Sequence, residues 1–198
     1  MKLNENTKIL STNIIFVPYL EHHVLKYHNW MKSEELQMLT ASEPLTLDEE
    51  YNMQKSWRED EDKCTFIILD RNIYQDTQNE IESMIGDVNI FITNKEDSIG
   101  EIEIMVAEKG ARGKKLGWEA VIVMLIYGIR YIHLKIIEAK ISNTNDKSIR
   151  LFNKLGFLEK SRSQVFKEIT LEKNVTEDWL NWLENQIKWE LNTYQLLK

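Results

Sequence analysis

Cysteine occurs once, at Cys64, so no disulfide can form within the chain, and a reducing compartment is the expected setting. Proline occurs twice and glycine seven times in 198 residues, too few for long flexible linkers or a low-complexity tail. The longest apolar run, Val121 to Ile129, is too short to span a bilayer. The opening MKLNENTK lacks the apolar core of a signal peptide, so a cytoplasmic protein is expected, and the sequon Asn174-Val175-Thr176 is expected to stay idle. Positive charge is in deficit: 25 Lys and Arg stand against 32 Asp and Glu, a net charge of −7. That balance argues against general affinity for nucleic acid or an anionic membrane surface, and mildly favours a cationic or amine partner. No metal site is expected. With 42% hydrophobic and 29% charged residues, what is present is an ordinary globular composition, long enough for one sizeable core.

The stretch from Gly100 to Ile132 organises the rest. A strand over Glu101 to Ala107 alternates Ile102, Ile104 and Val106 with polar or polarisable residues. A turn follows with Gly110, Arg112, Gly113, Lys114, Lys115 and Gly117, and then a helix to about Ile132. A basic, glycine-bearing turn between a strand and a helix start is an anion site, because unpaired amides and the helix dipole converge there. The nucleotide loop G-x-x-x-x-G-K-S/T and the dinucleotide fingerprint G-x-G-x-x-G are both absent. The helix is apolar on two sides: Leu116, Ala120, Met124, Tyr127 and Tyr131 line one, Trp118, Ile122, Leu125, Ile129 and Ile132 another. It needs the sheet and a second cover, and Gly128 within it implies close packing.

Before this stretch, residues 7–19 read as a hairpin, Glu21 to Met31 as a helix, and Ser33 as the cap of a second short helix. Thr46-Leu47-Asp48-Glu49 opens a third helix, to about Arg58, with a capping box. Cys64 to Leu69 is an apolar strand, residues 70–82 read as a loop, and Met84 to Thr93 is the next strand, with Gly86-Asp87 early in it. Short connections make these three strands antiparallel neighbours. Ile136 to Ile141 is a further strand, Asn145 caps a short helix ended by Gly156, and residues 157–173 give two more strands.

The string Arg112-Gly113-Lys114-Lys115-Leu116-Gly117 resembles the R/Q-x-x-G-x-G/A signature of the GCN5-related N-acetyltransferases, with Lys115 in place of the family's first glycine. Asn145, Ser148, Ile149, Leu151, Phe152, Lys154, Gly156 and Phe157 resemble its second mark, N-x-x-A/S-I-x-L-Y/F-x-K-x-G-F. Two signatures in order, with a strand between, weigh more than either alone. The resemblance spans roughly residues 8–172. It implies an α/β fold with a mixed, mostly antiparallel sheet of about seven strands and helices on both faces. It also implies a gap between the central strand and the next, opened by their splaying, and acetyl-coenzyme A as cosubstrate. Amides of Arg112 to Gly117 would hold the pyrophosphate, and groups near Met105 and Val106 the pantetheine arm, with Asn145, Ser148 and Phe152 along it. The strings HNWMKSEELQ, LTASEPLTLDEEY, DKCTFI and GEIEIMVAE are similar to a RimJ/RimL-like branch. That similarity implies transfer to a protein α-amine, with the N-termini of α- and β-tubulin as suggested acceptors.

Acetyl transfer to an amine needs a base, an oxyanion donor and a proton for the departing thiolate. Glu101 and Glu103 point to one face of the central strand. Either is a candidate base, with Glu103 nearer the turn, and an exposed polar face is the plainer reading of both. His22, His23, His28 and His133 are rivals that read more simply as structural. A backbone amide near Val106 is the candidate oxyanion donor. Phe152 stands where family members often carry a Tyr as acid and has no proton to give. Residues 1–175 are expected to form the acetyltransferase domain, and 176–198 a helical extension in which Trp179 and Trp182 fold back onto the doubly apolar helix. Acetylation of a small amine or polyamine, and a non-catalytic coenzyme-binding scaffold, stay open as alternatives, as does the oligomeric state.

Overall fold

Local signals fix most elements. In the computed structural model, which describes residues 2–195, the Thr46 hydroxyl accepts from the Glu49 amide while Glu49 takes the Thr46 amide at 2.8 Å. This is the reciprocal cap that T-L-D-E predicts. It opens α3 (Leu47–Glu59), after α1 (Val24–Met31), led in by a 3-10 turn, and α2 (Glu34–Thr40). The hairpin is β1 (Thr7–Ser11) and β2 (Ile14–Pro18). Then come β3 (Lys63–Asp70), β4 (Met84–Asn94) and β5 (Ile99–Val106), which begins two residues earlier than its polar alternation signals. After α6 (Leu116–Tyr131) follow β6 (Ile136–Ser142), α7 (Asp146–Lys154), β7 (Leu158–Ser163) and β8 (Glu168–Asn174).

Two stretches differ from the sequence reading. Residues 70–82 are not a loop. Asp70 caps α4 (Arg71–Thr77) by accepting from the amides of Asn72 and Ile73, and Asn79 caps α5 (Glu80–Ser83). Side-chain caps thus stabilise two turns too polar to show an apolar period. The C-terminal stretch is helix only as α8 (Glu177–Gln186); Trp189–Thr193 is a strand, β9. The alternation Trp189, Leu191, Thr193 is a strand period that the preceding aromatic stripe obscured.

Among the described residues nine strands form one sheet in the order β7-β8-β6-β5-β4-β3-β2-β1-β9, antiparallel throughout except at β5–β6. Helices cover both faces. On one, α6 lies with Ile14, Phe16, Phe66, Val88, Ile90 and Ile102 below it. Its second cover is α8, which buries Trp179, Leu180 and Leu183, while Trp182 turns outward at 38% exposure. A Cβ at Gly128 would stand 2.6 Å from Ile90 Cδ1, which accounts for a glycine in that helix. The other face carries α1, with α2 and α3 beside it, over Ile15, Val17, Ile67, Leu69, Met84 and Met105. Among the described residues no helix is long and apolar enough to cross a membrane.

Gly86 sets how closely β4 meets β5. A Cβ there would stand 1.9 Å from the Met105 carbonyl oxygen. Gly86→Ala is therefore expected to push the strands apart at Met105 and cost about 1–3 kcal/mol by overpacking. The urea midpoint reads this, and an unchanged midpoint would refute the close approach.

Candidate active site

The sheet opens at its centre. Residues Ile99, Gly100 and Glu101 of β5 pair with Ile136, Ile137 and Glu138 of β6, and beyond Glu101 the parallel ladder stops. β5 continues against β4 as far as Val106, and β6 continues against β8 as far as Ser142. The two strands diverge around a cleft of about 730 Å³. Its walls are Ile104, Met105 and Val106 from β5, Ala111 to Gly113 and Lys115 to Trp118 from the turn and α6, and Asn145 to Ser148 with Arg150 and Leu151 from α7. The fourth wall is α2, through Glu35, Leu36, Leu39 and Thr40. Sequence reasoning missed α2, Lys147 and Arg150: no motif marks them, and α2 meets the cleft from some seventy positions away in the chain.

The turn before α6 suits an anion. Gly113 has φ +79° and Lys115, the N-cap, has φ +65°, both in the left-handed region, which turns the amides that follow toward one point. The Lys115 side chain makes no capping bond, and the first-turn amides of Leu116, Gly117 and Trp118 have no partner within the helix by construction. A Cβ at Gly117 would meet Val106 Cγ2 at 3.3 Å, so the first turn lies directly on β5. Arg112 is committed differently from what the motif implies. Its Nε donates to the Val106 carbonyl at 2.9 Å, and its Nη1 to Glu35 at 2.7 Å. It joins the end of β5 to α2, and holds the Glu35 carboxyl below its usual range by hydrogen bond and charge.

The remaining sequence candidates divide. Met105, Val106, Arg112, Gly113, Lys115, Leu116, Gly117, Asn145 and Ser148 all line the cleft. Asn145 also caps α7, accepting from the Ser148 amide at 3.2 Å. Lys114 is exposed and does not line the cleft, and Phe152 is in the core, edge-on to Phe157 with ring centroids 5.1 Å apart. Glu101 and Glu103 lie on the α1–α3 face of β5, outside the cleft wall. Glu101 is buried and accepts from Lys140 at 2.5 Å; burial raises its carboxyl, and Lys140 opposes that. Glu103 is exposed, 3.8 Å from Lys63. His23 is fully buried, which lowers its imidazole. Its Nδ1 accepts from the Leu20 amide at 3.1 Å, so Nε2 carries the proton and donates to Glu80. Burial raises Glu80, yet hydrogen bonds from His22, His23 and Tyr194 outweigh it and hold the carboxyl at about 2. With its proton on Nε2, His23 offers no lone pair to a metal there. The set joins the segment after β9 to α5.

A cleft that joins a cationic helix start to the apolar residues Ile104, Met105 and Val106 of β5 suits a ligand with a phosphate end and an apolar arm. The chain matches the profile described as "Acetyltransferase (GNAT) domain" over residues 13–158.

It belongs to the GNAT acetyltransferase family.

The family relatives are close. Alpha/beta-tubulin-N-acetyltransferase 9 of Drosophila melanogaster is 50% identical over 98% of this chain and 100% of its own length. The Homo sapiens protein of the same name is 53% identical over 94% of this chain and 92% of its own. Among solved structures, spermidine N-acetyltransferase from Vibrio cholerae, in complex with CoA and spermine, has a TM-score of 0.72 at 16% identity, covering 85% of this chain and 98% of that one. At that identity the likeness is one of fold. The chain is thus an N-acetyltransferase enzyme with the GNAT fold, its sheet wider than the expected seven strands.

Proposed function

We propose that this chain acetylates the α-amine at a protein N-terminus, and that the acceptor is α- or β-tubulin. The observation that carries the reading is the extent of the identity to the tubulin-N-acetyltransferase 9 relatives: it runs over 98% of the chain, far beyond the matched domain. Elements outside the coenzyme motifs, including the C-terminal α8 and β9, therefore fall within the similarity. A tubulin acceptor sets the work in the cytoplasm.

When bound, acetyl-coenzyme A supplies an activated acetyl thioester. The amides of Leu116, Gly117 and Trp118, with the Lys115 ammonium, would hold its pyrophosphate. The Met105–Val106 edge would hold the arm on one side, and Asn145 and Ser148 on the other. The backbone near Val106 would steady the carbonyl oxygen as charge develops on it. Since Phe152 offers no proton and lies in the core, water has to supply the one needed at sulfur, which the low basicity of a thiolate tolerates. Reversing the charge at the turn tests the assignment. Lys115→Glu is expected to weaken coenzyme A binding in calorimetry at least tenfold, about 1.4 kcal/mol. A folded variant with unchanged affinity would remove the turn from the site.

The acceptor is tested with N-terminal tubulin peptides, the same peptides blocked at the α-amine, and spermine. Acetylation of the unblocked peptides alone is the expected result. Turnover of spermine without turnover of the peptides would favour the second reading, transfer to a small polyamine.

A further inference from the structure

On the α1–α3 face, the ladders of β3, β4 and β5 set side chains in rows. Thr65, Asn89 and Glu103 form one row, and Ile67, Asp87 and Met105 the next. Asp87 is therefore the direct cross-strand neighbour of Met105, a residue of the cleft wall, with side-chain origins about 5 Å apart. Glu103 stands two residues back along β5 and Glu101 four, on the side away from the opening of the cleft. The close approach at Gly86 pins β4 to β5 next to Asp87.

The Asp87 carboxyl is built in. It is 2% exposed. Its Oδ2 accepts from Asn89 Nδ2 at 2.7 Å, and Asn89 Oδ1 accepts from the Thr65 hydroxyl at 2.5 Å. Among the described residues its Oδ1 has no hydrogen-bond partner, and neither has the buried Tyr19 hydroxyl, which is close enough to feel the Asp87 charge. Orphaned buried oxygens are rare, and each calls for a reason. Tyr19, Tyr27 and Trp57 form a mutual aromatic cluster, with ring centroids 5.1, 6.2 and 6.4 Å apart. The cluster already receives one ammonium: Lys63 Nζ lies 3.7 Å from the Trp57 ring centroid. Aromatic faces beside a carboxylate are the chemistry that attracts an alkylammonium.

We propose that Asp87, rather than Glu101 or Glu103, is the base of the transfer, and that Tyr19 and Tyr27 form the acceptor-amine side of the site. The proposal rests on the reading of the cleft as an acetyl-transfer site. An incoming ammonium gives one N–H proton to Asp87 Oδ1. The electron pair of that bond stays on nitrogen as the lone pair the transfer requires, Asp87 becomes neutral, and the proton leaves to solvent before the next turnover. Burial pushes the Asp87 carboxyl up to about 7, Glu103 on β5 adds to this, and the Asn89 hydrogen bond and Lys63 on β3 oppose it. Tyr19, and Tyr27 on α1, are themselves raised by burial and stay protonated. A base near neutrality holds a proton without keeping it.

The test is Asp87→Asn, which keeps the shape and the oxygen that Asn89 donates to, with Tyr19→Phe as a second variant. Coenzyme A affinity, and kcat/KM with tubulin peptides and spermine across about pH 5 to 9, are measured for each. In Asp87→Asn, coenzyme affinity is expected to hold, turnover to fall at least ~10²-fold, and the rising limb centred near 7 to disappear. In Tyr19→Phe, KM for the amine is expected to rise severalfold while that limb stays. Turnover within threefold of wild type in Asp87→Asn overturns the proposal, as does a parallel loss of coenzyme affinity, which marks a structural role. If Asp87→Asn does not fold, the carboxyl-carbon NMR titration of wild-type Asp87 decides: a midpoint near 7 that falls when tubulin peptide is added supports it, and a midpoint near 4, or one indifferent to the peptide, refutes it. Turnover of spermine without turnover of the peptides would instead sink the tubulin reading and leave Asp87 tested on spermine.

Discussion

A chain cut after Lys173 is expected to lose most of its stability and to aggregate. The removed segment supplies α8, whose Trp179, Leu180 and Leu183 are buried over α6. It also supplies β9, which pairs with β1 from Ser11–Trp189 to Thr7–Thr193. Trp179 donates its indole N–H to the Leu155 carbonyl at 3.0 Å and meets Phe157 edge-on, so its loss unsettles the end of α7 as well. At about 1.5–3 kcal/mol for each buried side chain, these three residues contribute about 5–9 kcal/mol, comparable with the whole stability of an ordinary domain. The cut also bares the long apolar surface of α6 and turns β1 into an unprotected edge. Soluble yield, the urea midpoint and binding of a hydrophobic dye read the outcome. A truncated chain that unfolds like the full one and stays monomeric would make α8 an accessory rather than a cover.

The same segment shows where the sequence was legible and where it was not. The need for a cover could be read because α6 is apolar on two sides, a property of a single helix. Which aromatic faced inward could not: Trp179 and Trp182 are three apart, and only the seating of α8 on α6 and Phe157 decides between them. The coenzyme turn was legible because its chemistry is local, with strand end, glycines, cations and helix start following one another from Met105 to Trp118. Arg112 was legible as part of that turn but not in its contacts, since Val106 lies six residues away and Glu35 seventy-seven. Phe152 fits the second signature, yet the turn of α7 that carries it faces the core while Ser148 and Leu151 face the cleft. Asp87 had a signal in the sequence: Asp and Asn two apart, hence on one face, inside the otherwise apolar strand MIGDVNIFI. That pattern marks a buried polar pair. The distance to the cleft follows only from the register of β4 on β5.

Asp87 is also expected to impose a pH dependence on stability that its substitution removes. Burial puts the folded-state carboxyl at about 7, against about 4 in an unfolded chain. Between those values the folded protein holds a proton that the unfolded chain releases. Raising the pH through that window therefore stabilises the unfolded state, and this group's contribution falls by about 1.4 kcal/mol per unit, roughly 4 kcal/mol in all. Glu50 and Glu101, also raised by burial, act in the same direction, and Glu80, held at about 2, acts in the opposite one at lower pH. Comparing Asp87→Asn with wild type cancels these contributions. The variant keeps an acceptor for Asn89 and never ionises, so it is expected to match wild type near pH 4 and to exceed it by about 4 kcal/mol at pH 8. Urea midpoints at the two pH values measure the difference, and an offset that does not change with pH would mean that Asp87 ionises in the fold as readily as in water. A side chain whose removal stabilises the fold at neutral pH while lowering turnover is one retained for chemistry rather than for packing.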